Sequence, residues 1–262
     1  MQSLDGYVLE EVLSQDARSK SVALLGRFKD KEGQALVRLS KQQFELEKHI
    51  SKHREQTYCM VKETPEMYRL VHQPYILSIP SSRIQWVYNM LEGKAEQERM
   101  IFHDPDPDTG FMLHPDLKWN QLQRESMYCL AICNRRDIRC LRDLKAVHVP
   151  MLQSIESKSL QAIQQKWGVA AEHIRAYFHY PPSYYHLHIH FCHVHFEGPG
   201  MAAGKAHLLS DIIDMLNLKP DLLQQRTFQF TVGQRDPLWK ACNSMPSALD
   251  TAAEPSKRRR TS

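Results

Sequence analysis

Residues His179 to His195 read HYPPSYYHLHIHFCHVH, and this stretch decides how the rest of the chain is read. From Tyr184 to Phe191, Tyr185, Leu187, Ile189 and Phe191 alternate with His186, His188 and His190. That period of two is the pattern of a strand with one face in the core. Successive strand side chains point to opposite faces, so the spacing predicts three imidazoles on one sheet face and the apolar set on the other. An ordinary strand would carry Ile and Val there, so the histidines imply chemistry. Two chemistries fit. Neutral imidazoles could hold a divalent metal, with His193 and His195 as further ligands, or one imidazole could attack phosphorus while its neighbours orient it. An unbroken strand turns His193 and His195 to the other face, and Glu197 is the first carboxylate after the motif.

Downstream, Lys205 to Leu218 predicts an amphipathic helix ending before Pro220, and Arg226 to Val232 a strand that alternates Phe228 and Phe230 with polar residues. Upstream, Ala170 to Tyr180 leads into the histidine strand, and Pro150 to Trp167 has helical periodicity. Asp and Pro crowd HDPDPDTG before Gly110, which predicts a turn with a return strand at Phe111 to Leu113 and a loop, PDLKW, after it. Gln121 to Ala131 reads as a helix and RRDIRCLRDL, 135–144, as a surface element. Val61 to Pro80 holds Pro65, Pro74 and Pro80, which predicts connecting structure without long regular elements. Before it, 1–20 reads as a helical start, SVALLGRF and QALVRLS as a hairpin about Lys29 to Gly33, and Gln42 to Tyr58 as an amphipathic helix. These segments predict three parts: a small front domain over 1–55, a larger domain over 56–240, and a disordered tail over 241–262 that ends in Lys257 to Arg260, KRRR. That basic run fits a nuclear-import address or a phosphate-seeking arm, and also a solvated end with no role.

The chain's 262 residues can bury a sizeable core, and its 42% hydrophobic and 24% charged content is that of a soluble globular protein. No apolar run approaches the roughly 20 residues of a membrane span, and the N-terminus lacks the regions of a signal peptide, so an intracellular protein is expected. The six cysteines have no CxxC pair and are expected to be free thiols. Cys129 and Cys133, four apart on an expected helix, could serve zinc but fit core positions better. A formal charge of +4 suits an anionic ligand without proving one.

His186-Leu187-His188-Ile189-His190 matches the His-apolar-His-apolar-His pattern of the histidine triad superfamily of nucleotide hydrolases and transferases. Together with RIQWVYN (83–89), PDPDTGFML (105–113), PDLKWNQ (115–121) and RRDIRCLRDL, the string HYPPSYYHLHIHF resembles the scavenger messenger-RNA decapping enzymes. The resemblance spans Val61 to Leu238 and extends more loosely into the first 60 residues. It implies an α+β fold: an antiparallel sheet of histidine-triad type with flanking helices, preceded by a small N-terminal α/β hairpin domain shorter than the family's. It implies a diphosphatase that needs no metal or other cofactor and cleaves the triphosphate bridge of 7-methylguanosine cap dinucleotides and short capped RNA. The products would be 7-methylguanosine monophosphate and a nucleoside or oligonucleotide diphosphate.

By the same resemblance His188 is the nucleophile, His190 bonds the phosphates or leaving oxygen, and His186 helps hold the strand. His179, Ser183 and Tyr184 match phosphate-proximal positions. Trp86 matches the residue that stacks on the methylated base, Glu96 the acceptor from the guanine edge, and Pro115, Asp116 and Lys118 the remaining contacts. The pairing makes physical sense, because a methylated guanine is a cationic ring that gains about 0.5–2 kcal/mol on an indole face and is favoured by a nearby carboxylate. Lys118 suits phosphate as a point charge. A homodimer working in cytoplasm and nucleus is implied as well. The front hairpin leaves no room for the family's lid, so no lid residue is carried over. A cap-binding protein with weak turnover and a less selective dinucleoside polyphosphate hydrolase are the competing readings; Trp86 with Glu96 argues against the second.

Overall fold

The computed structural model describes residues 6–16, 21–30, 32–40, 57–116, 119 and 121–244. The chain divides into two compact units, Met1–Glu55 and Gln56–Ser262. The helix expected within Gln42 to Tyr58 falls outside the described residues except at its end, where Tyr58 opens a strand. The tail's basic run and Lys118 also lie outside them.

The first unit contains a three-stranded antiparallel sheet, β1 (Tyr7–Asp16), β2 (Ser21–Phe28) and β3 (Ala35–Ser40), in the order β1-β2-β3. The hairpin stands as expected, with Ser21 opposite Ser40 and Gly26 opposite Ala35. The helical start does not. Tyr7–Asp16 is a strand whose register shifts between Leu9 and Glu11 and again between Val12 and Ser14. Each bulge inserts a residue and breaks the period-two alternation, so the strand reads as helical spacing.

In the second unit a six-stranded antiparallel sheet has the order β10-β8-β9-β7-β6-β5. Its strands are β5 (Phe102–His103), β6 (Phe111–Pro115), β7 (Tyr128–Cys133), β8 (Ile174–His179), β9 (His188–His193) and β10 (Ala206–Leu208). The turn between β5 and β6 is the expected one: Asp106 accepts from the backbone N–H groups of Asp108 and Thr109 and from the Thr109 hydroxyl. Residues expected to be helical at Gln121 to Ala131 instead form a short 3-10 turn and then β7. β7 is covered on both faces, so YCLAIC is a continuous apolar run that periodicity cannot tell from a buried helix. Cys129 and Cys133 are thus strand residues, both buried, and all six cysteines are free thiols.

Helices pack on this sheet. The segment Val61 to Pro80 is more regular than its prolines suggest. It takes in the end of β4 (Tyr58–Glu63), then an unbroken helical stretch made of α1 (Pro65–Met67), a π turn (Tyr68–His72) and α2 (Gln73–Ser78). Thr64 caps it by accepting from Met67 N at 3.2 Å. Pro65 sits in the first turn, where the missing N–H costs little, and Pro74 follows the wide π turn, in which the Gln73 N–H reaches Tyr68 O. α3 (Gln85–Leu91) and α4 (Val149–Trp167) follow, the latter ended by Gly168 at φ 68, a left-handed conformation that suits glycine. α5 (Leu209–Leu218) begins four residues later than expected because Ala206–Leu208 pairs with β8. After α6 (Leu222–Gln225), β11 (Phe228–Gly233) pairs with β4 in a separate two-stranded sheet, and α7 (Pro237–Asn243) closes the described chain. No helix among the described residues is long and apolar enough to cross a membrane.

The two faces of the large sheet bury different sets. Phe111, Leu113, Cys129, Ala131, Ile189 and Phe191 belong to the main core with Leu152 and Ile155 of α4. On the opposite face Met112 and Ile132 pack against Val87 and Met90 of α3. Cross-strand partners share a face, and His188 stands opposite Ile132, so the nucleophile candidate lies on the face that α3 covers.

Candidate active site

The strand that holds the triad is shorter than its sequence pattern. It begins at His188, and Tyr184 to Leu187 form a bent approach to it. His186 is therefore not a strand residue beside His188. The bend is set by the Leu187 backbone, which donates to Ile138 O at 2.9 Å and accepts from Cys133 N at 3.1 Å. It turns the His186 imidazole so that Nε2–H donates to Cys133 O at 2.7 Å. His188 and His190, two apart on β9, keep the shared face that the alternation predicts.

The geometry around His188 fixes its tautomer. A carbonyl can only accept, so the 2.7 Å contact with His186 O places the proton on Nδ1 and leaves the lone pair on Nε2. Nε2 is buried and meets no hydrogen-bond partner among the described residues. Burial, outweighing the bond to His186 O, pushes the imidazole down to about 3, so it is neutral at physiological pH. The Tyr184 ring stacks on it with centroids 4.0 Å apart and planes 15° apart. His190 Nδ1 shares a 2.7 Å hydrogen bond with the Tyr128 hydroxyl. The His190 ring stacks on Tyr177 at 5.0 Å and lies 4.1 Å from the His179 ring and 5.0 Å from that of His188. Four of the expected residues, His179, Tyr184, His188 and His190, thus form one cluster.

A groove of about 1310 Å³ opens beside it, and Trp86, Ser183, Tyr184 and Lys205 are among the residues of its wall. Trp86 stands on α3 next to the buried Val87, is 44% exposed, and meets the edge of Tyr184 at 5.0 Å and 74°. A helix face that seats Val87 and Met90 on the sheet turns the adjacent indole outward, which makes it available for stacking. His188 does not line this groove. It borders a much smaller cavity of about 10 Å³ with Arg139, His179, Pro182 and His186.

The remaining expected residues are placed less simply. Glu96 is not on the groove wall; its backbone is left-handed (φ 54) and its carboxylate accepts from Arg99 at 3.0 Å. Pro115 ends β6, and Asp116 N–H donates to Tyr128 O at 2.8 Å, which ties the loop to β7. Asp116 is also near enough to Tyr184 to help raise its phenol, although burial does most of that.

Several residues of the site carry no sequence signal. Tyr128 was hidden in an apparent helix. Lys205, whose Nζ donates to Pro181 O, reads as the first residue of an amphipathic helix. Arg136 and Arg139 also line the groove; Arg136 donates to Glu92 at 2.7 Å and lies over the Tyr88 ring at 4.5 Å. The segment expected on the surface, 135–144, is thus partly interior, with Ile138, Cys140, Leu141 and Arg142 buried. Asp143 accepts from the backbone N–H groups of Arg139 and Cys140 and folds it inward. Among the described residues no group of three His, Cys, Asp or Glu is arranged to hold a metal ion.

Another buried polar group on the same sheet face lacks a hydrogen-bond partner among the described residues. His114 stands opposite Leu130, which stands opposite His190, and it is 3% exposed with neither ring nitrogen hydrogen-bonded among the described residues. Burial, aided by Arg99, pushes it down to about 4. Unsatisfied buried polar groups cost about 1–3 kcal/mol, so His114→Leu is expected to stabilise the domain by about 1 kcal/mol after packing losses. Chemical denaturation of the two proteins at pH 7 checks this, and a destabilised variant would contradict it.

Two family models match this chain: "Scavenger mRNA decapping enzyme (DcpS) N-terminal" over residues 2–74 and "Scavenger mRNA decapping enzyme C-term binding" over residues 85–206. Among curated proteins, the m7GpppX diphosphatase of Ascaris suum is 47% identical over 197 residues, covering 75% of this chain and 65% of the relative. The human m7GpppX diphosphatase is 47% identical over 194 residues, covering 74% and 57%. That of Schizosaccharomyces pombe is 42% identical over 200 residues, covering 76% and 66%. The chain therefore matches about three fifths of the length of these relatives.

Proposed function

Because this chain belongs to the scavenger mRNA decapping enzyme family, we propose that it is a cap-specific diphosphatase that works through a covalent nucleotidyl-histidine. The substrate is a 7-methylguanosine cap dinucleotide or short capped RNA. The observation that carries this reading is the state of His188: proton on Nδ1, lone pair on a buried Nε2 that meets no hydrogen-bond partner among the described residues.

In the first step Nε2 attacks the phosphorus attached to methylguanosine. A P–N bond forms, the P–O bond to the next phosphate breaks, and the nucleoside or oligonucleotide diphosphate leaves. The imidazole becomes cationic as it bonds phosphorus, and His186 O, already accepting from Nδ1–H, stabilises that charge. In the second step water attacks the same phosphorus, the P–N bond breaks and 7-methylguanosine monophosphate departs. His190, oriented by Tyr128 and Tyr177, bonds the phosphate oxygens, and His179, Ser183 and Lys205 border the phosphate path. A phosphate reaches Nε2 past Pro182 and Tyr184, which separate it from the groove. The methylated base stacks on Trp86. Glu96 accepts from the base edge by sharing its carboxylate with Arg99, and Pro115, Asp116 and Lys118 supply the remaining contacts. The same reading makes the protein a homodimer of cytoplasm and nucleus, with KRRR at 257–260 as import address.

Purified protein incubated with methylated and unmethylated cap dinucleotide, with chelator present, tests this function. Selective cleavage of the methylated substrate is expected. Equal cleavage of both would sink cap specificity, loss of activity with chelator would sink a metal-free mechanism, and binding without turnover would favour a cap-binding protein. Trp86→Ala is expected to weaken the methylated cap roughly tenfold, combining base stacking with the cation–π term, and to affect the unmethylated cap less. Titration of wild type and Trp86→Ala with each cap, followed by fluorescence, checks the difference.

A further inference from the structure

Behind the groove lies a buried network that the proposed chemistry does not use. Glu63 at the end of β4 is 1% exposed, and its carboxylate accepts from Arg142 Nη2 at 2.7 Å, from Arg142 Nε at 3.1 Å, from the Tyr180 hydroxyl and from His72 Nδ1. His72, fully buried in the π turn, meets the Tyr185 hydroxyl through Nε2 at 2.7 Å. Arg142 is held in turn by the carbonyls of Leu223 (2.9 Å) and Arg226 (2.7 Å). A carboxylate and a guanidinium withdrawn from water need every lone pair and N–H matched, and here Glu63 has donors on both oxygens.

The network touches the site at two points. Tyr180 and Tyr185 bracket Pro181 to Tyr184, the segment that carries Ser183 and the ring stacked on His188. Tyr185 also directly precedes His186, whose carbonyl sets the His188 tautomer. We infer that Glu63, His72 and Tyr185, anchored by Arg142, are positioning residues that clamp both ends of this segment and thereby hold His186 O against His188 Nδ1–H. The inference rests on His188 acting as nucleophile.

Fixing an imidazole's tautomer through a neighbouring acceptor is worth several orders of magnitude in other hydrolases, and loss of a partner that orients a metal-bound histidine typically costs about 10–100-fold, which sets the scale for a supporting contact here. Tyr185→Phe removes only the hydroxyl that joins the loop to His72 and keeps the ring contacts with His72 and Tyr75. In the full chain, it is expected to lower kcat about 10-fold with KM for methylated cap dinucleotide within about twofold of wild type. Nitrogen-15 NMR of the histidines supplies a readout that a packing defect would not move. Wild-type His188 should show the Nδ1–H form alone, and Tyr185→Phe a mixture of tautomers. His72→Gln should give the same pattern. Unchanged kcat with an unchanged His188 signal, or a fall in melting temperature with that signal intact, would overturn the inference. If the wild-type protein cleaves no cap, the diphosphatase reading fails, while the NMR comparison still decides whether the network fixes His188.

Discussion

His188→Asn is expected to abolish cap cleavage, lowering kcat/KM roughly 10⁴-fold or more, about 5 kcal/mol of lost transition-state stabilisation. Asparagine is close to imidazole in reach and keeps a donor for His186 O, so the fold and the Tyr184 contact survive. Its amide nitrogen, however, has no lone pair able to form a P–N bond. Binding of methylated cap should change by less than about threefold, since Trp86 and the base contacts are untouched. His190→Asn should lose less, because in the proposed reaction His190 only assists while His188 forms the bond to phosphorus. Burial pushes His188 down to about 3, so it stays neutral over the physiological range and any acid limb of the rate belongs to another group. Progress curves for the three proteins on one substrate check the ranking, and a His188→Asn enzyme with more than a tenth of wild-type activity would contradict it.

The second large effect is on stability. Arg142→Met removes the cation from a pair in which both side chains are about 1% exposed, and leaves Glu63 short of donors. Breaking a buried pair by deleting one partner costs about 3–5 kcal/mol, a large part of the 5–15 kcal/mol that holds a typical domain. The pH dependence follows from the direction of the shifts. Burial alone would raise Glu63, but hydrogen bonds and charge from His72, with Tyr180 and Arg142, outweigh it and hold the folded carboxyl below its ordinary value. That contribution is present above the unfolded value and is lost as pH falls through the folded one. His188 near 3, and His114 and His207 near 4, act in the same direction. Their folded forms bind fewer protons than the unfolded chain, so stability falls as pH drops below the ordinary histidine value. Urea unfolding followed by circular dichroism should show wild type losing stability on acidification. The gap to Arg142→Met should be widest near neutral pH and narrow once Glu63 is protonated. A variant within about 1 kcal/mol of wild type at pH 7 would refute this role.

How much of this was legible in the sequence depends on whether each element faces one environment or two. β11, with Phe228, Phe230 and Val232 buried in alternation, and α4 with its apolar stripe are half-buried elements whose periods can be read, whereas β9 is buried at every position and is legible only because imidazoles alternate with apolar residues. β7 is covered on both sides and β1 is bulged, so the first reads as a featureless apolar run and the second as a helix. The histidines of the site were visible because alternation with apolar residues is rare for imidazole. The bend that removes His186 from the strand was not, because it is set by backbone bonds to Cys133 and Ile138, some fifty residues earlier. The Glu63 network is invisible for the same reason. Glu63 lies 79 positions from Arg142 and 117 from Tyr180 along the chain, and RRDIRCLRDL looks like solvent-facing charge until Arg142 is seen against Glu63. Glu96 marks the opposite case: the resemblance offers it as an acceptor for the base, while the fold sets it off the groove wall with its carboxylate on Arg99.

The central claim is a bond between Nε2 of His188 and phosphorus, and intact-mass analysis of protein quenched within a single turnover on methylated cap dinucleotide tests it most directly. The expected result is a mass increase equal to one 7-methylguanosine monophosphate residue, carried by the peptide containing His188 and absent from His188→Asn. Release of products with no adduct at any quench time, or an adduct that persists in His188→Asn, would contradict it.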